Sequence, residues 1–145
     1  MRSLFDVNVL LALMDREHVH RPAVRAWWSA QRSDGWASSP ITQNGFVRII
    51  SQSSYPRPRL IVDAISILTR ATARDEHQFW PDDLSILDAN SIDHTRLLGP
   101  RQITGIYLLA LAVKHGGRLV TLDTAISVAA VRGAEPRHLV QLLPN

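Results

Sequence analysis

The sequence predicts an α/β protein, a central parallel β-sheet flanked by helices on both faces, and three observations carry that expectation. Short apolar runs twice end at an aspartate and lead straight into further apolar sequence: Ser3-Leu4-Phe5 before Asp6, and Arg118-Leu119-Val120-Thr121-Leu122 before Asp123. The intervals between strand-like runs are too long for hairpins and carry helical patterns, which implies parallel pairing with crossovers. The chain has 145 residues, 46% of them apolar and 20% charged, the size and composition of one domain, 1–145, around a single core.

Ser3 to Phe5 reads as a first strand, and Val7 to Met14 continues apolar at helical length. Pro22 suits the first turn of a second helix running to about Gln31, with Val24, Trp27 and Trp28 on its apolar side. Gly35 to Ser38 is a brief strand, and Thr42 is the expected cap of a helix carrying Phe46, Val47, Ile49 and Ile50. Beyond a Ser- and Pro-rich stretch at 51–59, Leu60, Ala64, Ile67, Leu68 and Ala71 share one face of a helix over Leu60 to Arg74. The segment from His77 to Pro100 shows no clear period. Ile103 to His115 is apolar almost all round, as in a buried helix, and Gly116-Gly117 stops it. A strand over 118–122, a helix from Thr124 to about Val131 and a last strand over Leu139 to Leu143 complete the pattern.

Composition excludes several classes. No stretch approaches the ~20 apolar residues that span a bilayer, and Asp6 and Asn8 break the apolar N-terminus, so neither a membrane helix nor a signal peptide is expected. The absence of cysteine excludes a disulfide framework and agrees with a cytoplasmic protein. The formal charge is only +3, yet Lys114 is the one lysine among 16 basic side chains. Guanidinium forks match phosphate oxygens, so a polyanionic partner is expected. The arginines are scattered along the chain, and folding has to assemble any basic face.

Asp6 and Asp123 stand in the same position, at the end of a strand. In open α/β sheets ligands bind beyond the carboxyl ends of the strands. On adjacent strands, two carboxylates about 4 Å apart repel by roughly 4 kcal/mol at an effective dielectric near 20. Either one holds a proton or a cation joins them, and hard oxygen donors favour Mg²⁺ or Mn²⁺. Each aspartate also suits a plain helix cap. Asn8 and Thr121 are candidate supports for the first carboxylate. His18 and His20 suit a solvated loop, the tryptophans suit packing, and Asp82-Asp83 suits a turn or cap.

Four segments together resemble a known family: Leu4-Phe5-Asp6-Val7-Asn8-Val9-Leu10-Leu11-Ala12-Leu13, Pro40-Ile41-Thr42-Gln43-Asn44-Gly45-Phe46-Val47-Arg48, Phe79-Trp80-Pro81-Asp82-Asp83, and Gly99-Pro100-Arg101-Gln102-Ile103-Thr104 through Tyr107-Leu108-Leu109-Ala110-Leu111-Ala112 to Gly116-Gly117-Arg118-Leu119-Val120-Thr121-Leu122-Asp123. In order and over nearly the whole chain, this is similar to PIN-domain toxins of the VapC type. The resemblance implies a PIN-domain fold and a Mg²⁺- or Mn²⁺-dependent endoribonuclease that hydrolyses RNA phosphodiesters. It further implies a cognate antitoxin and a homodimer. Asp6 and Asp123 match two of the family's metal-binding acids. Two matches fail. The family's helix carries one Glu, and Gln43 and Gly45 occupy the two positions where it would fall, depending on the register against Arg48; Gly105 stands where the family carries Asp. Arg48, Arg101 and Gln102, beside the matched motifs, are the expected RNA contacts.

Two alternatives stand beside this reading: a catalytically silent PIN fold that keeps RNA or antitoxin binding, and a phosphatase of the haloacid-dehalogenase type. The latter needs a second Asp where Asn8 stands and a Lys before its acidic pair, whereas Lys114 follows Asp82-Asp83. No packing role for Gly105 is evident in the sequence. Gly105→Asp is therefore expected to strengthen Mg²⁺ binding and RNA cleavage, and a metal titration with a cleavage assay checks it.

Overall fold

The computed structural model describes residues 1–143. Five short strands, β1 (Ser3–Phe5), β2 (Trp36–Ser38), β3 (His77–Phe79), β4 (Arg118–Thr121) and β5 (Leu139–Gln141), form one parallel sheet in the order β3-β2-β1-β4-β5. Five helices accompany them: α1 (Val7–Met14), α2 (Arg21–Gln31), α3 (Pro40–Ile50), α4 (Ile61–Thr72) and α5 (Ile103–Lys114).

The period-2 alternation of each strand splits the core in two. Leu4, Ala37 and Leu119 face one side, where they meet α5 and the irregular chain around Trp80 and Ile92. Phe5, Trp36 and Val120 face the other, against residues of α1, α2, α3 and α4. Helix α5 sits against the sheet with Ile106 to Ala112 all buried, which explains its lack of a polar face. It ends where Gly116 takes φ +71°, a left-handed conformation that costs glycine little.

Three expectations change. Helix α3 starts earlier than Thr42: Ser39 is the N-cap, Pro40 fills the first helical position, and Thr42 is the third residue, exchanging bonds with Ser39 in a capping box. From across the sheet edge, Asp82 Oδ2 adds a bond from Ile41 N at 3.1 Å. The segment after Asp123 is not an α-helix. Asp123 and Ser127 accept backbone bonds from Ala125 N and Ala129 N, and Gln141 donates to the Asp123 and Ile126 carbonyls, so local side chains replace the helical ladder and only a 3-10 turn, Val128–Ala130, remains. Leu60 precedes α4 as its N-cap and stays exposed with Ile61, Val62 and Ile65, while Ala64 and Leu68 are buried.

Asp15, buried at the end of α1, joins the two long connections. It accepts a 2.6 Å bond from the Tyr55 hydroxyl and one from Glu17 N, and pairs with Arg59 at 3.5 Å. Burial alone pushes its pKa up, but the Tyr55 and Glu17 hydrogen bonds and the Arg59 charge prevail and hold it below the ordinary carboxylate range. Its contribution to stability is thus present above the ordinary carboxylate pKa and disappears as pH falls through the depressed one. Tyr55→Phe is expected to cost about 1–3 kcal/mol at neutral pH and less in acid, measured by urea denaturation across that range.

Candidate active site

β1 and β4 are neighbours, so the residues that follow them emerge side by side at the carboxyl edge of the sheet. Asp6 is the N-cap of α1, its Oδ1 accepting from Val7 N at 2.7 Å. Capping and the sheet-edge position therefore coincide in one residue. The fully buried Thr121 donates its hydroxyl to Asp6 Oδ2 at 2.8 Å, and Thr121 Oγ1 in turn accepts the Asp123 backbone N–H at 3.0 Å. One hydroxyl thereby ties the two aspartates together.

Asn8 does not touch Asp6. Its amide oxygen accepts Leu122 N at 3.1 Å and its Nδ2 approaches Thr121 Oγ1 at 3.4 Å, so it locks α1 to the end of β4. Burial raises the Asp6 pKa most; the bonds from Thr121 and Val7 oppose the shift, and the charge of Asp123 adds to it. Asp123 is more open, with Oδ1 engaged by Ala125 N. The edge thus holds a carboxylate pressed toward its neutral form beside a second negative charge, an arrangement that a cation stabilises.

The two mismatched positions have defined surroundings. A Cβ at Gly45 would stand 2.6 Å from Val7 Cγ2, so position 45 is the close contact of α3 with α1. Gln43, half-buried, donates Nε2 to Ser38 Oγ at 3.0 Å, and Ser38 also bonds His77 Nε2 at 2.8 Å. Gln43 is thereby fixed to the end of β2, one strand from Asp6. Gly105 has a packing role that sequence reasoning missed. Ile126, 4% exposed, lies over it, and an added Cβ would meet Ile126 Cδ1 at 2.5 Å and Cγ1 at 2.8 Å. An aspartate at 105 has to displace this side chain first. Among the described residues, no group of three or more His, Cys, Asp or Glu side chains could hold a metal ion.

The remaining candidates disperse. Arg48 is exposed and lines the groove between α3 and α4. Gln102 is engaged by Leu98 N and the Ala125 carbonyl, which makes it a loop fastener, and Arg101 is exposed beside it in a 3-10 turn. His18 and His20 form a local turn in which His18 Nδ1 accepts His20 N. Trp28, Trp36 and Trp80 are core. Sequence reasoning also passed over Ser38 and His77; a polar residue closing β2, just before the Ser39 cap that corresponds to Asp6, was the available signal.

In an unobstructed helix, Gly105→Ala gains up to ~1 kcal/mol of propensity. Here it is expected to destabilise by about 1–3 kcal/mol through overpacking. In an Ile126→Ala background that penalty is expected to vanish, a coupling above about 0.5 kcal/mol in a double-mutant cycle of denaturation curves.

Comparison with known proteins agrees with this architecture. The family model for the PIN domain matches residues 3–132. The chain is 55% identical over 142 residues to Ribonuclease VapC44 of Mycobacterium tuberculosis, covering 98% of this chain and 100% of the relative. Among solved structures it resembles Mycobacterium tuberculosis VapC20, a sarcin-ricin loop cleaving toxin, with a TM-score of 0.61 at 12% identity over 92% of this chain and 99% of that one. It also resembles VapBC2 from Rickettsia felis bound to a promoter DNA fragment, with a TM-score of 0.57 at 11% identity over 85% and 89% of the two chains. With a family match over most of its length and a relative this similar from end to end, the chain belongs to the PIN domain family, among its VapC members.

Proposed function

We propose that this protein is an endoribonuclease toxin of the VapC type, neutralised by a cognate antitoxin, that pairs with a second copy of itself and works in the cytoplasm on RNA. The observation that supports this reading best is the Asp6-Thr121-Asp123 linkage at the carboxyl edge of adjacent strands. The named VapC44 relative supports the substrate class.

The donor set fits a divalent cation of the Mg²⁺ type, which uses one or two carboxylates and completes its shell with water and substrate phosphate oxygens. Asp6 and Asp123 would hold it. Such a cation supplies charge neutralisation and an activated water for hydrolysis of a phosphodiester. The chain's own residues do the rest. Thr121 and Val7 N fix the Asp6 carboxylate in one orientation, and Asn8 keeps the α1 start against β4. Hydrolysis forms a bond from phosphorus to the water oxygen and breaks the bond to the leaving ribose oxygen, with one proton of the water ending on that oxygen and the other released to solvent. With Gln43 and Gly105 in place of two expected acids, the centre carries less negative charge than the resemblance implies, and slow turnover is its expected character. The filled space at Gly105 also favours a second reading, in which the fold binds RNA or antitoxin without cutting.

Asp6→Asn and Asp123→Asn are each expected to abolish Mn²⁺-stimulated cleavage of RNA; cleavage that persists in both overturns the assignment. The Asp6 pKa adds a stability signature. A raised folded-state pKa means that folding is disfavoured as pH rises from the ordinary carboxylate value through the raised one. Above that window Asp6→Asn is expected to melt at higher temperature than the parent, and below it the two curves converge. Mn²⁺ is expected to raise the parent's melting temperature and to leave that of Asp6→Asn unchanged.

A further inference from the structure

The arginines that are scattered in sequence converge at the far end of α1 from Asp6. Arg21, Arg25 and Arg32 lie at i, i+4 and i+11 on one face of α2 and its C-terminal extension, around Trp28, and line a cleft completed by Arg74 of the loop after α4. Met14, the last residue of α1, lines this cleft and also the next one, where Arg16, Arg59 and Arg70 gather. The two clefts together carry seven arginines against two glutamates, Glu17 and Glu76, and Asp15 behind them pairs with Arg59. Both glutamates already have partners in Arg57 and Arg74. Among the described residues, no carboxylate lies within ion-pair distance of Arg16, Arg21, Arg25, Arg32 or Arg70.

This arrangement opposes helix stability. α2 holds no acidic residue, begins with an arginine at its positive dipole end, and stacks like charges four residues apart. Burial, then repulsion from Arg25 and Arg16, lowers the Arg21 pKa. Arg21 bonds the Leu13 carbonyl and Arg32 lies 5.9 Å from the Trp28 ring centre, but the repulsion among the unpaired guanidinium groups remains, and a polyanion relieves it. Planar guanidinium groups match phosphate oxygens two bonds at a time. The row on α2 spans about 16 Å at the helical rise per residue, which suits a repeating charge better than a single anion. The α1 helix separates this row from the acidic edge by about 12 Å, within reach of one folded nucleic acid.

We propose that the two arginine clefts form an RNA-backbone-binding face that holds substrate remote from the acidic edge. The inference rests on the ribonuclease reading for the identity of the polyanion. Its test uses Arg25→Gln, Arg32→Gln and Arg70→Gln together, three exposed side chains without carboxylate partners, and the matching triple lysine variant. Binding of a fluorescein-labelled single-stranded RNA is titrated in EDTA at several salt concentrations. Three lost phosphate contacts are expected to reduce the slope of log K against log salt by about 2 and to weaken binding at least about tenfold at low salt. The lysine variant is expected to retain most of the slope, which a loss through misfolding would not allow.

An unchanged slope in the glutamine variant, or no RNA binding by the parent, overturns the proposal. So does a glutamine variant that holds RNA normally but loses affinity for polyglutamate, which assigns the face to an acidic protein segment. Cleavage assayed with Mn²⁺ on the same proteins separates the two readings. A parent that binds RNA through the arginines and cuts nothing overturns the ribonuclease reading alone. Cutting with an unaltered slope in the glutamine variant overturns the binding face alone.

Discussion

The structure depends on one shared hydroxyl. Thr121 sits where β4 ends, fully buried, and serves Asp6 with its proton and the Asp123 backbone with its lone pair. Two acidic residues from opposite ends of the chain are thereby held at one sheet edge. Neither geometry nor charge favours that juxtaposition without support, since burial and the neighbouring charge both press Asp6 toward its neutral form. Asn8 reinforces the same junction from the first turn of α1. One strand away, Gln43 is separately fastened to the end of β2 through Ser38.

Much of this was legible in the sequence because strand, aspartate and helix follow one another in patterns that need little tertiary context. The adjacency of β1 and β4 made the Asp6 and Asp123 positions meaningful, and Gly116 marked the end of α5 through its backbone alone. What escaped sequence reasoning depended on contacts between distant residues. The helix expected after Asp123 gives way because Gln141, from the last strand, occupies its carbonyls. Thr42 looked like a cap because it is polar before an apolar run, yet Ser39 three residues earlier has the better geometry. No local pattern announces that Ile126 rests on Gly105, and the glycine therefore looked like a pure loss of ligand.

The charges are divided along α1. Asp6 and Asp123 lie at its N-terminal end, and at its C-terminal end arginines outnumber the buried Asp15 and the two glutamates around Met14. A net charge of only +3 conceals this polarity, because acids and bases scattered through the chain cancel in the sum. A molecule with such a field orients an approaching polyanion before contact, with the basic end leading.

The position of β1 at the centre of the sheet carries one more consequence. β1 has to wait for a neighbour encoded far downstream, since Thr121 lies 115 residues beyond Asp6. Nascent chains and prematurely terminated products therefore lack the assembled edge, and pairing so distant in sequence is slow to form. The first aspartate is thus made 115 residues ahead of the hydroxyl that holds it, and the acidic edge is the product of a late pairing, not of an early local one.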